Sequence, residues 1–244
     1  MLARPTVRNA FNAELIARLH EAFLALGDDP SVRVVVLAGD GPSFCGGADV
    51  NWMRGALELG EAENVRDAEA WSDMFRAIDR CPKPVIARVH GAAIGGGAGL
   101  CAVSDAVVAE AGTTFGFTET KLGIMPAVVA PFALAKIGLS QARRLFLTGE
   151  RFDARRAQAI GLVHEVVPET ELDAAVAAIA TECESAGPSA IAAAKALLAT
   201  VRETSYDESR TLTARAIARQ RASEEGQEGL RAFLERRPAG WIAR

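Results

Sequence analysis

Two glycine-rich segments constrain this sequence more than any other feature, because each directly follows a predicted strand and leads into a predicted helix. The first segment is SFCGGADV, residues 43–50, and the second is HGAAIGGGAG, residues 90–99. Free backbone N–H groups at such junctions attract anionic oxygens, and two of them directed at one oxygen form an oxyanion hole. The two segments therefore predict an enzyme that stabilises an enolate.

Small residues occupy the loop-to-helix turns of both segments, namely Ala48 and Gly96. Each preorganised N–H donor of this kind contributes roughly 3–4 kcal/mol to a transition state. An acidic residue, Glu119, follows the second segment. Its neighbours are apolar: Phe115, Phe117, Leu122 and Ile124. Because an apolar setting raises the pKa of a carboxyl group, Glu119 is predicted to transfer protons near neutral pH.

A dinucleotide-binding loop is the main alternative for the second segment, and three features argue against it. Leu100 stands where the third glycine of a G-x-G-x-x-G motif belongs. The predicted helix between Gly97 and Ser104 is shorter than a usual crossover connection. The acidic residue expected at the end of the next strand would be Glu110, which comes only about a dozen residues after the glycines and so too early. A purely structural role in close packing is common for one such loop and less so for two of similar build.

Composition and charge exclude several classes of protein. The chain has 244 residues and is 50% apolar, enough for one large domain or a domain with an appendage. A net charge of −4 favours neither nucleic acid nor a membrane surface as a partner. The four cysteines lack metal-binding spacing, and the three histidines have no serine or cysteine partner placed by a motif. From the cysteine spacing we expect no metal site. Because no segment resembles a signal peptide or a transmembrane span, we expect a cytoplasmic protein.

Hydrophobic periodicity predicts an α/β body followed by helices. Asn12 caps a helix that ends near Gly27, and a second amphipathic helix contains Trp71 to Ile78. The predicted strands span residues 32–38, 85–89, 106–109 and 163–167. From residue 169 onward the pattern is helical almost throughout. We therefore predict an α/β core over residues 1–185 and a helical region over residues 186–244.

Motifs along nearly the whole chain resemble those of the enoyl-CoA hydratase/isomerase (crotonase) superfamily. The matching segments are RPxxRNAFN (4–12), FCxGAD (44–49), GxAxGGG (91–97), FGxxExxLG (115–123), LTGExFxA (147–154), GLV (161–163) and EGxEGxxAFL (225–234). The resemblance implies an α/β spiral of ββα units and a C-terminal helical region that forms a trimer or a dimer of trimers. It also implies an acyl-CoA thioester substrate. Because coenzyme A arrives with that substrate, no separate cofactor is implied.

The same resemblance assigns roles to individual residues. The backbone N–H groups of Ala48 and Gly96 correspond to the pair that holds the thioester oxygen, and Glu119 corresponds to a catalytic glutamate. The Arg8–Ala10 loop lies where such enzymes hold the nucleotide end of coenzyme A. The predicted substrate-binding residues are Arg8, Ala10, Ala48, Asp49, Val50, Asn51, Gly96, Gly99 and Leu122.

Two departures from the family pattern affect the expected activity. Straight-chain hydratases carry two glutamates, and Gly99 stands at the first of these positions. We expect Gly99 to open space for a branched or carboxylated acyl group, because residues 123–132 resemble those of methylglutaconyl-CoA hydratases. The family also has an N-terminal hairpin ahead of Arg4, so we expect either a late start or missing first strands.

Three functions remain open on this sequence. Hydration needs a water deprotonated at C3 and a proton delivered to C2, and Glu119 can do both in turn. Isomerisation of a 3-enoyl to a 2-enoyl thioester needs only one base, which moves a proton between C2 and C4. We favour an enoyl-CoA hydratase, with the isomerase as the alternative. A non-catalytic, oligomeric acyl-CoA-binding protein is the second alternative.

Overall fold

The computed structural model describes residues 1–242 of the chain, and its secondary structure alternates between strands and helices before becoming helical. The strands are β1 (Val35–Ala38), β2 (Val85–Val89), β3 (Ala92–Ile94), β4 (Ala106–Glu110), β5 (Thr114–Gly116), β6 (Arg151–Asp153) and β7 (Glu165–Val167). The helices are α1 (Ala13–Asp28), α2 (Val50–Ala56), α3 (Glu61–Asp79), α4 (Gly96–Val103), α5 (Ala130–Thr148), α6 (Ala154–Ala159), α7 (Leu172–Ser185), α8 (Pro188–Arg202), α9 (Tyr206–Ala222) and α10 (Glu224–Leu234). Short 3-10 helices cover Pro5–Val7, Glu119–Leu122 and Glu169–Glu171.

The strands form two small sheets. The first sheet has the order β1-β2-β4-β7, and all of its strands are parallel. The second has the order β3-β5-β6, with β3 and β5 parallel and β6 antiparallel to β5. Strands β2 and β4 are apolar along most of their length and almost entirely buried, as expected for parallel strands covered on both faces.

The chain passes from the first sheet to the second at the glycine-rich segments. Strand β2 ends at Val89, and β3 begins at Ala92 in the other sheet. An isolated parallel bridge between Cys45 and Ala93 joins the first glycine-rich segment to β3. The two segments therefore lie side by side, and the helices that follow them, α2 and α4, begin close to each other.

The predicted strands are found, with shorter boundaries at two of them. The strand predicted over 32–38 begins at Val35, because the Val32 N–H donates to Asp29 O in a turn and the Arg33 side chain donates to the backbone oxygens of Glu184 and Ala186. The strand predicted over 163–167 begins at Glu165. The three strands of the second sheet were not predicted. Each has only three residues, too few to show an alternating pattern.

The predicted cap of the first helix is confirmed, since the Leu15 N–H donates to Asn12 Oδ1 at 3.0 Å. Within α1, the residues buried against the core are Ile16, Leu19 and Phe23. The start of the chain lies beside β1, an edge strand of the first sheet. Leu2 forms a parallel bridge to Gly39, the residue after β1. The Leu2 N–H donates to Ala38 O at 2.7 Å. The first residues of the chain thus lie alongside the end of β1.

The main core fills the space between the sheets and helices α1, α3, α4 and α5, and its largest fully buried side chains are phenylalanines: Phe11, Phe44, Phe75, Phe115 and Phe117. Helix α7 covers the first sheet through a second cluster that includes Ile86, Val108 and Leu172. Helices α8 to α10 follow, and the division predicted between residues 185 and 186 stays a prediction. No helix within residues 1–242 is sufficiently long and apolar to span a bilayer.

Candidate active site

Backbone hydrogen bonds hold the two glycine-rich segments together along their length. The Phe44 N–H donates to His90 O at 2.9 Å, and the Cys45 N–H donates to Ala92 O at 2.9 Å. In return, the Ile94 N–H donates to Cys45 O at 3.0 Å. These bonds fix the first loop-to-helix junction, which ends at Ala48, against the second junction, which ends at Gly96.

The N–H groups of Ala48 and Gly96 are both free to bind a ligand. Phe11 forms a parallel bridge to Ala48, in which the Phe11 N–H donates to Gly47 O and the Asp49 N–H donates to Phe11 O. In this pairing the N–H of Ala48 itself points away from Phe11. Gly96 is the first residue of α4, so its N–H has no acceptor in its own helix. Neither N–H is bonded to an acceptor within residues 1–242.

Glycines precede both donors because the backbone there requires them. Gly47 has φ +100° and Gly95 has φ +53°, conformations that residues with side chains rarely adopt. A Cβ atom on Gly95 would lie 4.0 Å from Gly47 Cα, in van der Waals contact, so little more than the width of a methyl group separates the two turns. The junctions thus meet at the residues immediately before the two donors.

Glu119 lies beside this point of contact. Its Oε1 atom is 3.2 Å from the position of a Cβ on Gly95, and its Oε2 atom is buried without a hydrogen-bond partner in the described part of the chain. Burial raises the pKa of Glu119, because the charged form loses its hydration. Phe115 and Phe117 are buried as predicted, whereas Leu122 and Ile124 are more than half exposed. The site therefore contains a carboxyl group able to exchange protons near two free N–H donors.

Asp49 differs from Glu119 because both of its oxygens are already used. The Oδ1 atom accepts the Asn51 N–H at 2.9 Å and so caps α2, and the Oδ2 atom accepts Arg4 Nη2 at 2.8 Å. The hydrogen bond from Arg4 holds the pKa of Asp49 below its usual range. Arg4 also donates to Ala10 O. The Asp49 carboxylate therefore fixes the first junction, and its predicted contact with substrate stays a prediction.

Asn9 also organises the first junction, a structural role that its place in the Arg8–Ala10 loop did not indicate. It is fully buried and has φ 54°, a left-handed conformation in which asparagine is enriched. Its Nδ2 donates to the backbone oxygens of Asp40 and Ser43 at 2.8 Å each, and its Oδ1 accepts the Arg4 N–H. The buried Cys45 Sγ donates to Asn9 O at 3.3 Å, and burial raises the pKa of this thiol to about 12.

The remaining predicted binding residues surround the first junction and the end of the Glu119 turn. Ala10 is buried between Arg4 and Phe11, whereas Arg8 is exposed with φ 53°. The side chains that face solvent are Arg8, Val50, Asn51 and Leu122. Arg8, Ala10, Val50 and Asn51 thus belong to the first junction or the loop beside it, whereas Leu122 ends the 3-10 helix that contains Glu119.

Gly99 does not open a space in this structure, contrary to our expectation. A Cβ atom at this position would lie 2.6 Å from Val129 Cγ1 and 2.8 Å from Phe75 Cζ. Helix α4 is buried at every residue, so the absent side chain is replaced by packing from α3 and from the turn before α5. The preference for a branched or carboxylated acyl group therefore loses the support that Gly99 was expected to give it.

Comparison with known proteins agrees with this geometry. The family model described as enoyl-CoA hydratase/isomerase matches residues 1–244. The chain belongs to this family. A crotonyl-CoA hydratase of Syntrophomonas wolfei is 34% identical, with 99% of this chain and 92% of the relative covered. The predicted superfamily, and with it the prediction of an enzyme of this class, is confirmed.

Solved structures of this family have the same fold. Pseudomonas aeruginosa AtuE superimposes with a TM-score of 0.95 at 37% identity, covering 98% of this chain and 93% of that chain. An enoyl-CoA hydratase of Shewanella pealeana gives a TM-score of 0.94 at 35% identity, covering 98% of this chain and 89% of that chain. The predicted crotonase-like α/β fold with C-terminal helices is thereby confirmed, and an acyl-CoA substrate is typical of the family. In residues 1–242 no group of three or more His, Cys, Asp or Glu side chains is arranged to hold a metal ion.

Proposed function

We propose that the protein adds water across the 2,3 double bond of an acyl-CoA thioester. The observation that supports this most directly is the buried Glu119 Oε2 atom, which has no hydrogen-bond partner. Glu119 lies beside Gly95, the residue before one of the two free N–H donors. The hydratase names of the relatives from Syntrophomonas wolfei (crotonyl-CoA) and Escherichia coli (2,3-dehydroadipyl-CoA) also support a hydratase.

In the proposed reaction, the thioester oxygen accepts hydrogen bonds from the Ala48 and Gly96 N–H groups. Attack of water on C3 moves the electrons of the double bond onto C2 and the thioester carbonyl, and this oxygen gains negative charge. Because the donors are fixed by the loops, they stabilise that charge without reorganising. Gly96 also lies at the N-terminus of α4, whose dipole favours an anion.

Glu119 would carry the proton between the two carbons. Its ionised form removes a proton from water as the oxygen bonds to C3, and its neutral form returns a proton to C2. The raised pKa suits both steps, since a group that titrates closer to neutral pH is present in both forms. One glutamate can therefore complete the hydration without a second carboxyl group.

The isomerase remains the second candidate, and the structure at Gly99 favours keeping it. Phe75 and Val129 fill the place where a second glutamate side chain would begin, so Glu119 is the carboxyl group at this turn. A single base that moves a proton between C2 and C4 is sufficient for a double-bond shift. The two reactions share the donors and differ in whether water is held beside Glu119.

Product analysis separates these candidates. The purified protein is incubated with a 2-enoyl-CoA and with the matching 3-enoyl-CoA, and the products are identified by chromatography. We expect a 3-hydroxyacyl-CoA from the 2-enoyl substrate, with Glu119→Gln lowering kcat/KM about 10²–10⁴-fold. The exposed Glu169→Gln variant is the control and keeps full activity. A 2-enoyl product without hydration would instead establish the isomerase, and binding without turnover would establish a non-catalytic protein.

We further propose that the protein needs no cofactor beyond the coenzyme A of its substrate, and that it assembles as a trimer or a dimer of trimers. The exposed apolar side chains of the C-terminal helices support assembly: Leu198, Ile217, Leu230, Phe233 and Leu234. Sedimentation of the wild type as a trimer or hexamer, and of Phe233→Asp as a smaller species, would support this. A monomeric wild type would contradict it.

A further inference from the structure

The 3-10 helix that carries Glu119 is attached to the C-terminal end of α5. The Thr120 hydroxyl donates a hydrogen bond to Phe146 O at 2.8 Å. The fully buried ring of Phe117 packs against the ring of Phe146, with the two centroids 5.1 Å apart. A Cβ atom on Gly149 would lie only 2.9 Å from Thr120 Oγ1, so the glycine there permits this close approach. The residue next to Glu119 therefore links it to the last turn of α5.

The hydrogen bond from Thr120 also satisfies a carbonyl group that α5 itself leaves free. The last four carbonyl oxygens of an α-helix have no N–H partner in a following turn, and Phe146 O is one of them because α5 ends at Thr148. The Glu150 N–H, which would bond to Phe146 O if the helix continued, donates to Thr148 Oγ1 instead. Thr120 thus supplies the donor that the end of α5 lacks.

The carboxyl group of Glu119 has little to hold it at its own end. Its Oε2 atom is buried without a hydrogen-bond partner in the described part of the chain. By contrast, the Asp49 carboxylate is fixed by the Asn51 N–H and by Arg4. The 3-10 helix is only four residues long, and its N-cap residue, Thr118, makes no side-chain cap. The position of the Glu119 carboxyl group therefore depends on the anchor of this short helix.

We infer that Thr120 is a positioning residue, whose hydrogen bond to Phe146 O holds the Glu119 carboxyl group beside Gly95. The inference rests on the proposed function in that Glu119 moves the proton, and it applies to hydration and isomerisation alike. Thr120 acts through Glu119 and takes no part in the proton transfers. Without the bond the short helix can shift, and misplacing a reacting group by about 1 Å costs up to about 10²-fold in rate.

Four side chains at position 120 separate the effect of the hydroxyl group from the effect of shape. Threonine and valine both branch at Cβ, and serine and alanine are both small, but only threonine and serine can donate to Phe146 O. We expect Thr120→Val and Thr120→Ala to lower kcat about 10–100-fold with KM nearly unchanged, and Thr120→Ser to stay close to the wild type. The matched control, Thr181→Val in α7, also loses a hydroxyl bonded to a helix carbonyl, Ala177 O at 2.9 Å, and keeps full activity.

The ionisation of Glu119 gives a second readout, which a mere loss of stability would not change. Burial raises the pKa of Glu119, so a carboxyl group that moves towards solvent should titrate closer to its ordinary value of 4.5. The rise of kcat/KM with pH should therefore shift to lower pH in Thr120→Val and Thr120→Ala, and stay in place in Thr120→Ser and Thr181→Val. Carbon-13 NMR of labelled glutamate side chains, with Glu119→Gln identifying the signal, measures this pKa without turnover.

An unshifted pKa of Glu119 in Thr120→Val and Thr120→Ala would overturn the inference, as would wild-type kcat in these two variants. Equal losses in Thr120→Ser and Thr120→Ala would also overturn it, because packing and not the hydrogen bond would then place Glu119. Failure of the proposed function is a separate result, in which Glu119→Gln retains activity or no substrate is turned over. The NMR comparison would still show whether Thr120 positions the carboxyl group.

Discussion

The two loop-to-helix junctions each involve one carboxyl group, and the two groups are used in opposite ways. At the first junction, Asp49 accepts hydrogen bonds on both oxygens, and the Arg4 guanidinium lowers its pKa. At the second junction, Glu119 has an unpartnered buried oxygen, and burial raises its pKa. Asp49 stabilises the fold as an anion, whereas Glu119 has an oxygen without a partner, at a cost in stability.

The helices that follow the junctions differ in the same sense. Helix α2 has no buried residue and is capped by the Asp49 side chain, so local hydrogen bonds and one ion pair hold it in place. Helix α4 lacks a side-chain cap and is buried at every residue. The first donor therefore depends on electrostatics and the second on close packing. Four sets of substitutions test this difference. The first set targets activity, and the other three follow in order of decreasing effect on the free energy of unfolding.

Gly96→Ala should have the largest effect on activity among the glycine substitutions. The new methyl group would lie 2.6 Å from Trp71 Cζ3 and 2.9 Å from Phe11 Cε2, so the start of α4 must move. Displacing one oxyanion donor lowers kcat/KM about 10²–10³-fold in the proposed reaction. Gly46→Ala at the first junction is the control, because its methyl group would lie no closer than 3.2 Å to any atom, namely Arg8 Cβ, so a much smaller shift accommodates it. Equal activities of these two variants would remove the distinction between the junctions.

Gly99→Ala and Gly55→Ala should change stability in opposite directions. A methyl group on Gly99 would overlap Val129 and Phe75, and overpacking of this kind lowers the free energy of unfolding by about 1–3 kcal/mol. No atom lies within 4 Å of a Cβ on Gly55, so alanine there should raise the free energy of unfolding of α2 by up to about 1 kcal/mol. Urea denaturation measures both. A stabilising Gly99→Ala would show that α4 is not closely packed.

Asp49→Ala removes a helix cap and an ion pair together, whereas Asp49→Asn keeps the cap. We expect the alanine variant to lose about 1–2 kcal/mol of stability and the asparagine variant to lose less. Because the folded pKa of Asp49 is lowered, its stabilisation is present above the ordinary value of 3.8 and is lost as pH falls through the folded value. The difference between wild type and Asp49→Asn should therefore shrink below about pH 4. A difference that grows in acid would contradict the assigned ion pair.

Glu119→Gln should raise stability while removing activity. Because the folded pKa of Glu119 is raised, the folded state holds its proton more tightly, and wild-type stability falls as pH rises through that value. We expect the glutamine variant to be more stable than the wild type at pH 7, with the gain disappearing below pH 4. In the wild type, kcat/KM should rise with pH as Glu119 ionises. A destabilised variant at pH 7 would indicate that the carboxylate has a partner.

The sequence was sufficient to predict the parts of the site that depend on neighbours in the chain. The donors Ala48 and Gly96 follow from strand-glycine-helix order, and the caps and buried strands follow from local pattern. By contrast, the three strands of the second sheet are too short to produce a periodic signal, and they owe their pairing to residues distant in the sequence.

Gly99 shows what the sequence could not provide. An absent side chain leaves a space only if nothing else moves into it, and here Phe75 and Val129, 24 and 30 positions away, occupy it. The same holds for Trp71, whose periodicity predicts a core residue correctly but gives no indication that its N–H lacks an acceptor. The filled space at Gly99 and the unpaired N–H of Trp71 both depend on tertiary contacts, and so they can be recognised only in the three-dimensional structure.

Cys45 offers a way to follow the first junction in time. Its thiol is fully buried, and a pKa of about 12 keeps it in the unreactive protonated form. An alkylating reagent can therefore modify Cys45 only in molecules whose loop has separated from Asn9 and β3. The alkylation rate of Cys45 in the native protein would report how often the loop opens. The factor by which a bound acyl-CoA slows alkylation would give the free energy by which the ligand stabilises the closed loop.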